Sequence, residues 1–286
     1  MNTESLFETH RSRLFGLAYK LLGSRSDAED VVQDTWLRWR QADRSVIRDA
    51  EAWLVTATTR LGIDRLRTAR TERETYVGPW LPEPLSVDES PTPERGVEIA
   101  EQVSLAFLSL LERLGPEERA AFLLKEIFDY DYVQIAELIG HSEANCRQMV
   151  HRARTRLQAE RPRFSVAPEK HRSLLERFMR AAQDGNREAI VRLLDANAHL
   201  VSDGGGKVNA TIRPLHGAER IARLFWAIAR RSKGALDWHL GHVNGEPALL
   251  RTHEGRLHSV TTIAVDGDRI TGIFTVLNPD KLEGLI

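Results

Sequence analysis

The chain holds 286 residues, with 40 lysines and arginines, 41 aspartates and glutamates and a formal net charge of −1, a length that suits two or three domains. Its one cysteine, Cys146, excludes an internal disulfide, and no apolar run reaches the roughly 18 residues that a membrane-spanning helix requires. With no secretory signal at its start, the sequence reads as that of a cytoplasmic protein. The near-zero net charge conceals local polarity. Residues 27–34 carry Asp27, Glu29, Asp30 and Asp34 without a base, while residues 60–73 carry Arg60, Arg65, Arg67, Arg70 and Arg73 against Asp64 and Glu72. Residues 142–163 add six arginines against Glu143 and Glu160. Two basic helices and one acidic helix point to two nucleic-acid contacts and one protein contact.

Residues 1–75 read as helix throughout. Leu6, Phe7, Leu14, Phe15, Leu17, Ala18 and Leu21 form an apolar stripe, and Gly23 ends that helix. Ser26 is expected to cap the next helix, with Glu29 completing a capping box. That helix is short and acidic yet carries Trp36 and Trp39. A further helix over 51–72 turns from apolar to basic along its length.

Residues 76–100 hold five of the eleven prolines among acidic residues, a composition expected of a semi-extended linker. Within it, Trp80-Leu81-Pro82 places large apolar groups where a linker should be polar. Such groups need a docking surface, the alternative being a local turn packed on the nearest helix.

Residues 101–163 form a second helical module ending in a helix-turn-helix pattern over Tyr132–Arg156. Val133, Ile135, Ala136, Leu138 and Ile139 are expected on the buried stripe of its first helix. Gly140 breaks that helix and Ser142 caps the next. There Ala144, Cys146, Met149, Val150, Ala153 and Leu157 are expected to be buried. Arg147, Gln148, His151, Arg152, Arg154 and Arg156 occupy the other face. A helix of this kind fits the major groove, its Arg and Gln groups aimed at base edges or phosphates. An ordinary helical hairpin with a solvated basic face is the alternative.

Residues 168–286 change character. Helices over about 169–183 and 186–195 precede a strand, His199–Gly204, then an amphipathic helix over 217–231 and strand-like runs over 235–243, 247–254, 256–265 and 269–278. Asp266-Gly267-Asp268 marks a hairpin between the last two. Helices followed by an antiparallel meander imply an α+β domain whose curved sheet wraps the helices. The expected fold is thus multi-domain: two all-α modules, then an α+β domain.

These residues carry a resemblance. The helix Ala28–Arg40, the helix Trp53–Arg70 and the module Leu111–Leu157 resemble regions 2 and 4 of bacterial extracytoplasmic-function sigma factors, in the correct order. Residues 168–286 resemble a SnoaL-like, nuclear-transport-factor-2-like domain. Sigma factors extended in this way carry a WLP motif in the linker, a DGGGK motif in the extension and an NPDKL motif near its end. Here these stand as Trp80-Leu81-Pro82, Asp203-Gly204-Gly205-Gly206-Lys207 and Asn278-Pro279-Asp280-Lys281-Leu282.

The resemblance implies an alternative sigma factor that binds core RNA polymerase through its β′ clamp and β flap and directs it to −10 and −35 promoter elements. Region 2 would occupy 1–75, the acidic linker 76–100, region 4 residues 101–163 and the regulatory domain 168–286. Asp30, Gln33 and Trp36, three residues apart on one helical side, are the expected polymerase-facing set. Arg60, Asp64, Arg67 and Arg70 are expected at the −10 element, where many family members carry Asn in place of Arg60. Arg147, Gln148, His151 and Arg152 are expected at the −35 element. The three motifs are expected to meet as a regulatory contact within the chain.

No catalytic residue, cofactor or metal is expected. The extension nonetheless invites a second reading, a DNA-binding regulator fused to a small-molecule-binding or isomerase/cyclase domain. Its base would be Asp203, Asp237 or His239, with Trp226 and Trp238 as apolar walls. The competing reading makes Asp203 the start of a glycine turn and the tryptophans core. A small ligand of unidentified nature in this domain is a further possibility. His216, His242, His253 and His258 show no metal-ligand spacing.

Overall fold

The computed structural model describes residues 3–85, 87–88, 103–158, 167–232, 235–283 and 285. Helices α1 (Thr3–Leu22) and α2 (Arg25–Gln41), a short 3-10 turn (Arg44–Val46) and helix α3 (Ala50–Glu74) come first. Strand β1 (Val87–Asp88) and helices α4 (Leu105–Leu111), α5 (Pro116–Glu126), α6 (Tyr132–Ile139) and α7 (Glu143–Gln158) follow. The rest comprises α8 (Pro168–Gln183), α9 (Arg187–Leu193), β2 (Leu194–Asp203), β3 (Leu215–His216) and α10 (Ala218–Ser232), then β4 (Asp237–Val243), β5 (Glu246–His253), β6 (Arg256–Asp266), β7 (Arg269–Val276) and α11 (Pro279–Leu282). The chain divides into two compact units: Met1–Thr75 with Leu110–Glu160, and Tyr76–Ser109 with Arg161–Ile286.

In the first unit α3 packs on α1 and α2, and also on α5 and α6. Leu14, Leu17, Leu21, Val31, Leu54 and Ile63 fill the core of the α1–α3 layer. Gly23, at φ +67°, ends α1 in the left-handed conformation that glycine tolerates. Ser24, not Ser26, then caps α2, its Oγ accepting from the Asp27 amide at 3.3 Å. The chain re-enters helix immediately after the glycine, so the cap falls two residues early. Glu29 is left to pair with Arg25 along the helix at 3.0 Å.

The helix-turn-helix forms as the turn chemistry dictates. Asp131 and Gln134 make a capping box at the start of α6, Gly140 adopts φ +75° at its end, and Ser142 Oγ accepts from the Asn145 amide at 3.3 Å. Ile135, Leu138, Cys146, Met149, Val150, Ala153 and Leu157 are buried. Val133, expected inside, is exposed, and so is Ala144. Each stands two residues before the first inward position of its helix, about 200° around the axis, and therefore faces solvent.

The second unit is built on one seven-stranded sheet of order β1-β4-β5-β6-β7-β2-β3. Strands β4 to β7 form the expected antiparallel meander. Strand β2 joins it parallel to β7, with Leu200 opposite Ile273 and Asp203 opposite Val276. Strand β2 also begins earlier than expected, at Leu194 directly after α9.

Helices α8, α9 and α10 cover one sheet face through Leu175, Phe178, Ile190, Ile221 and Phe225, packed on Leu249, Ile263 and Ile273. The other face has its own core of Leu250, Val260, Ala264, Phe274 and Val276. Leu249 and Leu250 are chain neighbours that enter different cores, as the period-two alternation of a strand requires. This is the helices-plus-curved-sheet arrangement that the SnoaL-like resemblance implied.

Candidate functional site

The exposed face of α7 carries the predicted −35 set. Arg147, Gln148, His151 and Arg152 are all solvent-exposed. Both of the cations have a carboxylate neighbour. Arg147 pairs with Glu143 and lies 5.0 Å over the Tyr132 ring, and Arg152 Nε sits 3.9 Å from Glu118. The Arg147–Glu143 pair is exposed on both sides and therefore weak, so a phosphate or base edge can take that guanidinium from its carboxylate, whereas Arg152 approaches the buried Glu118 only at long range.

The basic face of α3 is more occupied than its sequence suggested. Arg60 donates from Nε to the Leu138 carbonyl at 3.1 Å and from Nη2 to the Glu137 carbonyl at 3.1 Å. Those oxygens belong to the last turn of α6, where helix carbonyls lack intrahelical partners and the dipole is negative. Arg67 pairs with Asp64 at 2.7 Å and with Glu117 of α5. Arg70 is exposed. Arg60 and Arg67 therefore touch the second helical module, and Asp64 and Arg70 lie beside them.

Two groups at this contact were not singled out from sequence. Arg119 is 1% exposed and donates to the Lys20 carbonyl at 3.1 Å and to Glu112 at 2.5 Å. Glu112 also holds Arg73. Nothing local in the sequence distinguishes these from surface charges, because their partners lie 99 and 39 residues away.

On α2, Asp30 and Gln33 are exposed, whereas Trp36 is half-buried. Its ring lies 4.9 Å from that of Phe7 in α1, and Arg40 stacks over it at 5.9 Å. Trp39 is the core tryptophan of this helix, buried against Trp53 at 5.3 Å.

The three motifs meet in the second unit. Asp203, at the end of β2, is fully buried and its carboxylate accepts four hydrogen bonds: from Tyr76 Oη at 2.5 Å, the Leu81 amide at 2.8 Å, the Gly205 amide at 3.1 Å and Lys281 Nζ at 2.8 Å. Lys281 also donates to the Leu81 carbonyl at 2.5 Å and lies 3.9 Å over the Trp80 ring. Asn278 caps α11 and donates to Tyr76 Oη at 2.9 Å. Lys207 bridges to both oxygens of Asp280, at 2.7 and 2.6 Å. Burial and the adjacent Asp203 push the Tyr76 phenol well above its ordinary pKa, so it acts here as a donor.

Glycine is required at the heart of this cluster. A Cβ on Gly205, at φ +58°, would sit 2.4 Å from Asn278 Nδ2, and one on Gly206 would meet Val77 at 3.0 Å. A Cβ on Gly204 would lie 2.7 Å from the Val208 carbonyl. Leu81 is 2% exposed and Leu282 is 6% exposed, and both enter the outer-face core, while Pro82 is buried and Pro279 opens α11. The WLP island thus does not pack as a turn on its nearest helix. It docks on the extension's sheet.

The residues imagined as a catalytic centre do not converge. Asp203 is saturated by its four donors, and Asp237 is exposed on β4 opposite Thr252. His239 and Trp238 are half-buried, and Trp226, expected as a pocket wall or core, is 37% exposed with Arg230 stacked on it at 4.9 Å. Strands β5, β6 and β7 separate the Asp203 strand from the Asp237 strand.

Comparison with known proteins agrees with the geometry. Residues 6–72 match the sigma-70 region 2 family and residues 104–157 the sigma-70 region 4 family, which defines the class as a transcription initiation factor of the sigma-70 type. Over 98% of its length the chain is 35% identical to the ECF RNA polymerase sigma factor SigJ of Mycobacterium tuberculosis H37Rv, spanning 93% of that protein. It is 33% identical to the probable ECF RNA polymerase sigma factor SigI of the same organism, with 98% and 94% of the two chains covered. The crystal structure of M. tuberculosis SigJ superposes with a TM-score of 0.79 at 33% identity, over 97% of each chain. The chain belongs to the extracytoplasmic-function RNA polymerase sigma factors, alternative sigma factors that direct RNA polymerase to promoter DNA.

Proposed function

We propose that each face of this sigma factor has a separate task. Arg147, Gln148, His151 and Arg152 on α7 read the −35 element. Arg60, Asp64, Arg67 and Arg70 on α3 act at the −10 element. Asp30, Gln33 and Trp36 on α2 face the β′ clamp of core polymerase, with region 4 toward the β flap. The observation that carries the −35 role is the capped α7 with four exposed polar and cationic groups on one face.

The C-terminal unit regulates the other two modules. Both ends of the segment that joins them are seated on its sheet. The start is held by Leu81 and by the Leu85 amide on Asn244 Oδ1, and the end by Leu105 and by the Val103 carbonyl, which accepts from Asn244 Nδ2. A tethered domain acts at an effective concentration on the order of millimolar, so weak contacts are populated. Holding both ends of the joining segment on one sheet is the means by which the C-terminal unit acts on regions 2 and 4.

In vitro transcription with core polymerase tests this, comparing the full chain, residues 1–165, Asp203→Ala and Asp280→Ala. The truncated chain is expected to lose activity, and both point variants to change it without altering a DNA-facing residue. Equal activity in all four would remove the regulatory role. Wild-type promoter discrimination in Arg147→Ala and Arg152→Ala would remove the −35 assignment.

A further inference from the structure

Arg251 lies in the middle of β5 with 5% of its surface exposed. Its chain neighbour Leu250 enters the outer-face core, so Arg251 points to the helix-covered face with Leu249. A cation in that position should have a carboxylate beside it, because burying an uncompensated charge is costly. Among the described residues none is there. The guanidinium forms one hydrogen bond, from Nε to Ser259 Oγ at 2.6 Å, and stacks 5.3 Å from the Trp238 ring centroid.

The two supports are the cross-strand neighbours of Arg251, Trp238 on β4 and Ser259 on β6. They fix the plane of the guanidinium and, among the described residues, leave both Nη atoms without a hydrogen-bond partner. The sealed, unpaired side-chain atoms among the described residues are Thr59 Oγ1, Arg119 Nη2, His242 Nδ1 and Thr262 Oγ1, and the Arg251 nitrogens are not among them. Nearby charge does not compensate either. His258 is pushed below its ordinary pKa by burial, by the positive charge of Arg251 and by His253. Burial pushes Arg251 itself down to about 10, which still leaves it charged at neutral pH.

We propose that Arg251 is the anchor of a ligand site in the C-terminal domain that takes a small organic carboxylate. The two Nη groups present the parallel donors that a carboxylate accepts in bidentate fashion. The Trp238 ring and the half-buried Leu240, on the same strand and sheet face, offer an apolar flank for the carbon body. Ser259 positions the guanidinium and does not contact the ligand.

The test uses the full-length protein with benzoate, acetate, inorganic phosphate and sodium chloride as probes. Thermal unfolding of the C-terminal unit and the Arg side-chain NMR signals are followed through each titration. Benzoate is expected to raise the unfolding temperature saturably and to shift one guanidinium resonance. Arg251→Met should abolish both responses, and by relieving the unpaired charge it should unfold at the same or a higher temperature without ligand. Ser259→Ala keeps the guanidinium and should weaken benzoate binding about fivefold, the loss of one positioning hydrogen bond. An equal response to chloride, a response to phosphate without one to benzoate, or a benzoate response that survives Arg251→Met would each overturn the proposal. So would the absence of any saturable response in the wild type.

Discussion

Lys281 Nζ lies 2.8 Å from Asp203 Oδ2, and the pair is sealed from solvent although 78 residues separate the two in sequence. Neither charge is left with unused capacity. Asp203 takes three further donors, and Lys281 holds the Leu81 carbonyl and the Trp80 ring. The pair is therefore the point at which linker, glycine turn and C-terminal tail are tied together.

Removing one partner of a buried pair strands the other charge, at about 3–5 kcal/mol. Asp203→Ala and Lys281→Ala should each lower the stability of the C-terminal unit by about that amount. The double variant should lose clearly less than the sum, because no charge is then stranded. Urea unfolding of the four proteins gives the coupling directly, and additive losses would show that the ion pair is not the source of the effect.

Gly205→Ala should cost about 2–4 kcal/mol, combining the left-handed backbone penalty with overlap against Asn278. Gly267, at φ +59°, is the matched control, since a Cβ there would meet nothing within 4 Å. Gly267→Ala should cost only the backbone share, about 1–2 kcal/mol. Similar unfolding temperatures for the two variants would remove the steric argument for the DGGGK turn.

Arg60 and Arg70 share the basic face of α3 but differ in what they touch in the free protein. Arg60→Ala should lower the stability of the first unit by about 1 kcal/mol through its lost carbonyl contacts. Arg70→Ala should leave stability unchanged. Under the proposed −10 role both should slow promoter opening. Chemical denaturation and potassium permanganate footprinting of the promoter separate the two effects. A stability loss in Arg70→Ala would place that side chain in the fold.

Glu246 is held at a pKa of about 7 by burial, against an ordinary value of 4.5. A folded-state pKa raised above the unfolded one means that the folded protein binds the extra proton, so stability falls as pH rises from 4.5 to about 7. Glu246→Gln removes that cost. The variant should match the wild type below pH 4.5, gain through the interval and be more stable above pH 7 by roughly 1–3 kcal/mol. His171, pushed down by burial, acts in the opposite sense, destabilising the fold as pH drops below its ordinary 6.5. The comparison is therefore made between variant and wild type at each pH, with a constant difference across the range counting against the assignment.

The sequence by itself determined the local elements and the class of protein. Gly140, Ser142 and the spacing of Cys146, Met149, Val150 and Ala153 specify a helix-turn-helix because turn geometry, capping and helical periodicity act over a few residues. The misfit of Trp80 and Leu81 in a polar stretch was legible from local composition, and the three motifs were legible through the family resemblance. What only the tertiary structure decided was which distant groups meet. Tyr76 and Arg119 stood out in no local pattern, because the partners that define them, Asp203 and Lys20, are 127 and 99 residues away. The sequence offered Arg60 as a cation for the −10 element, and only the fold shows that it also holds the carbonyls at the end of α6 at 3.1 Å. Val133 and Ala144 show the same limit in reverse, since apolarity marks what can be buried and only the packing of neighbouring helices selects the face. Arg251 shows it most plainly. An arginine in a strand reads as an edge or surface charge, and its burial between Trp238 and Ser259 without a carboxylate exists only once β4, β5 and β6 are paired in register.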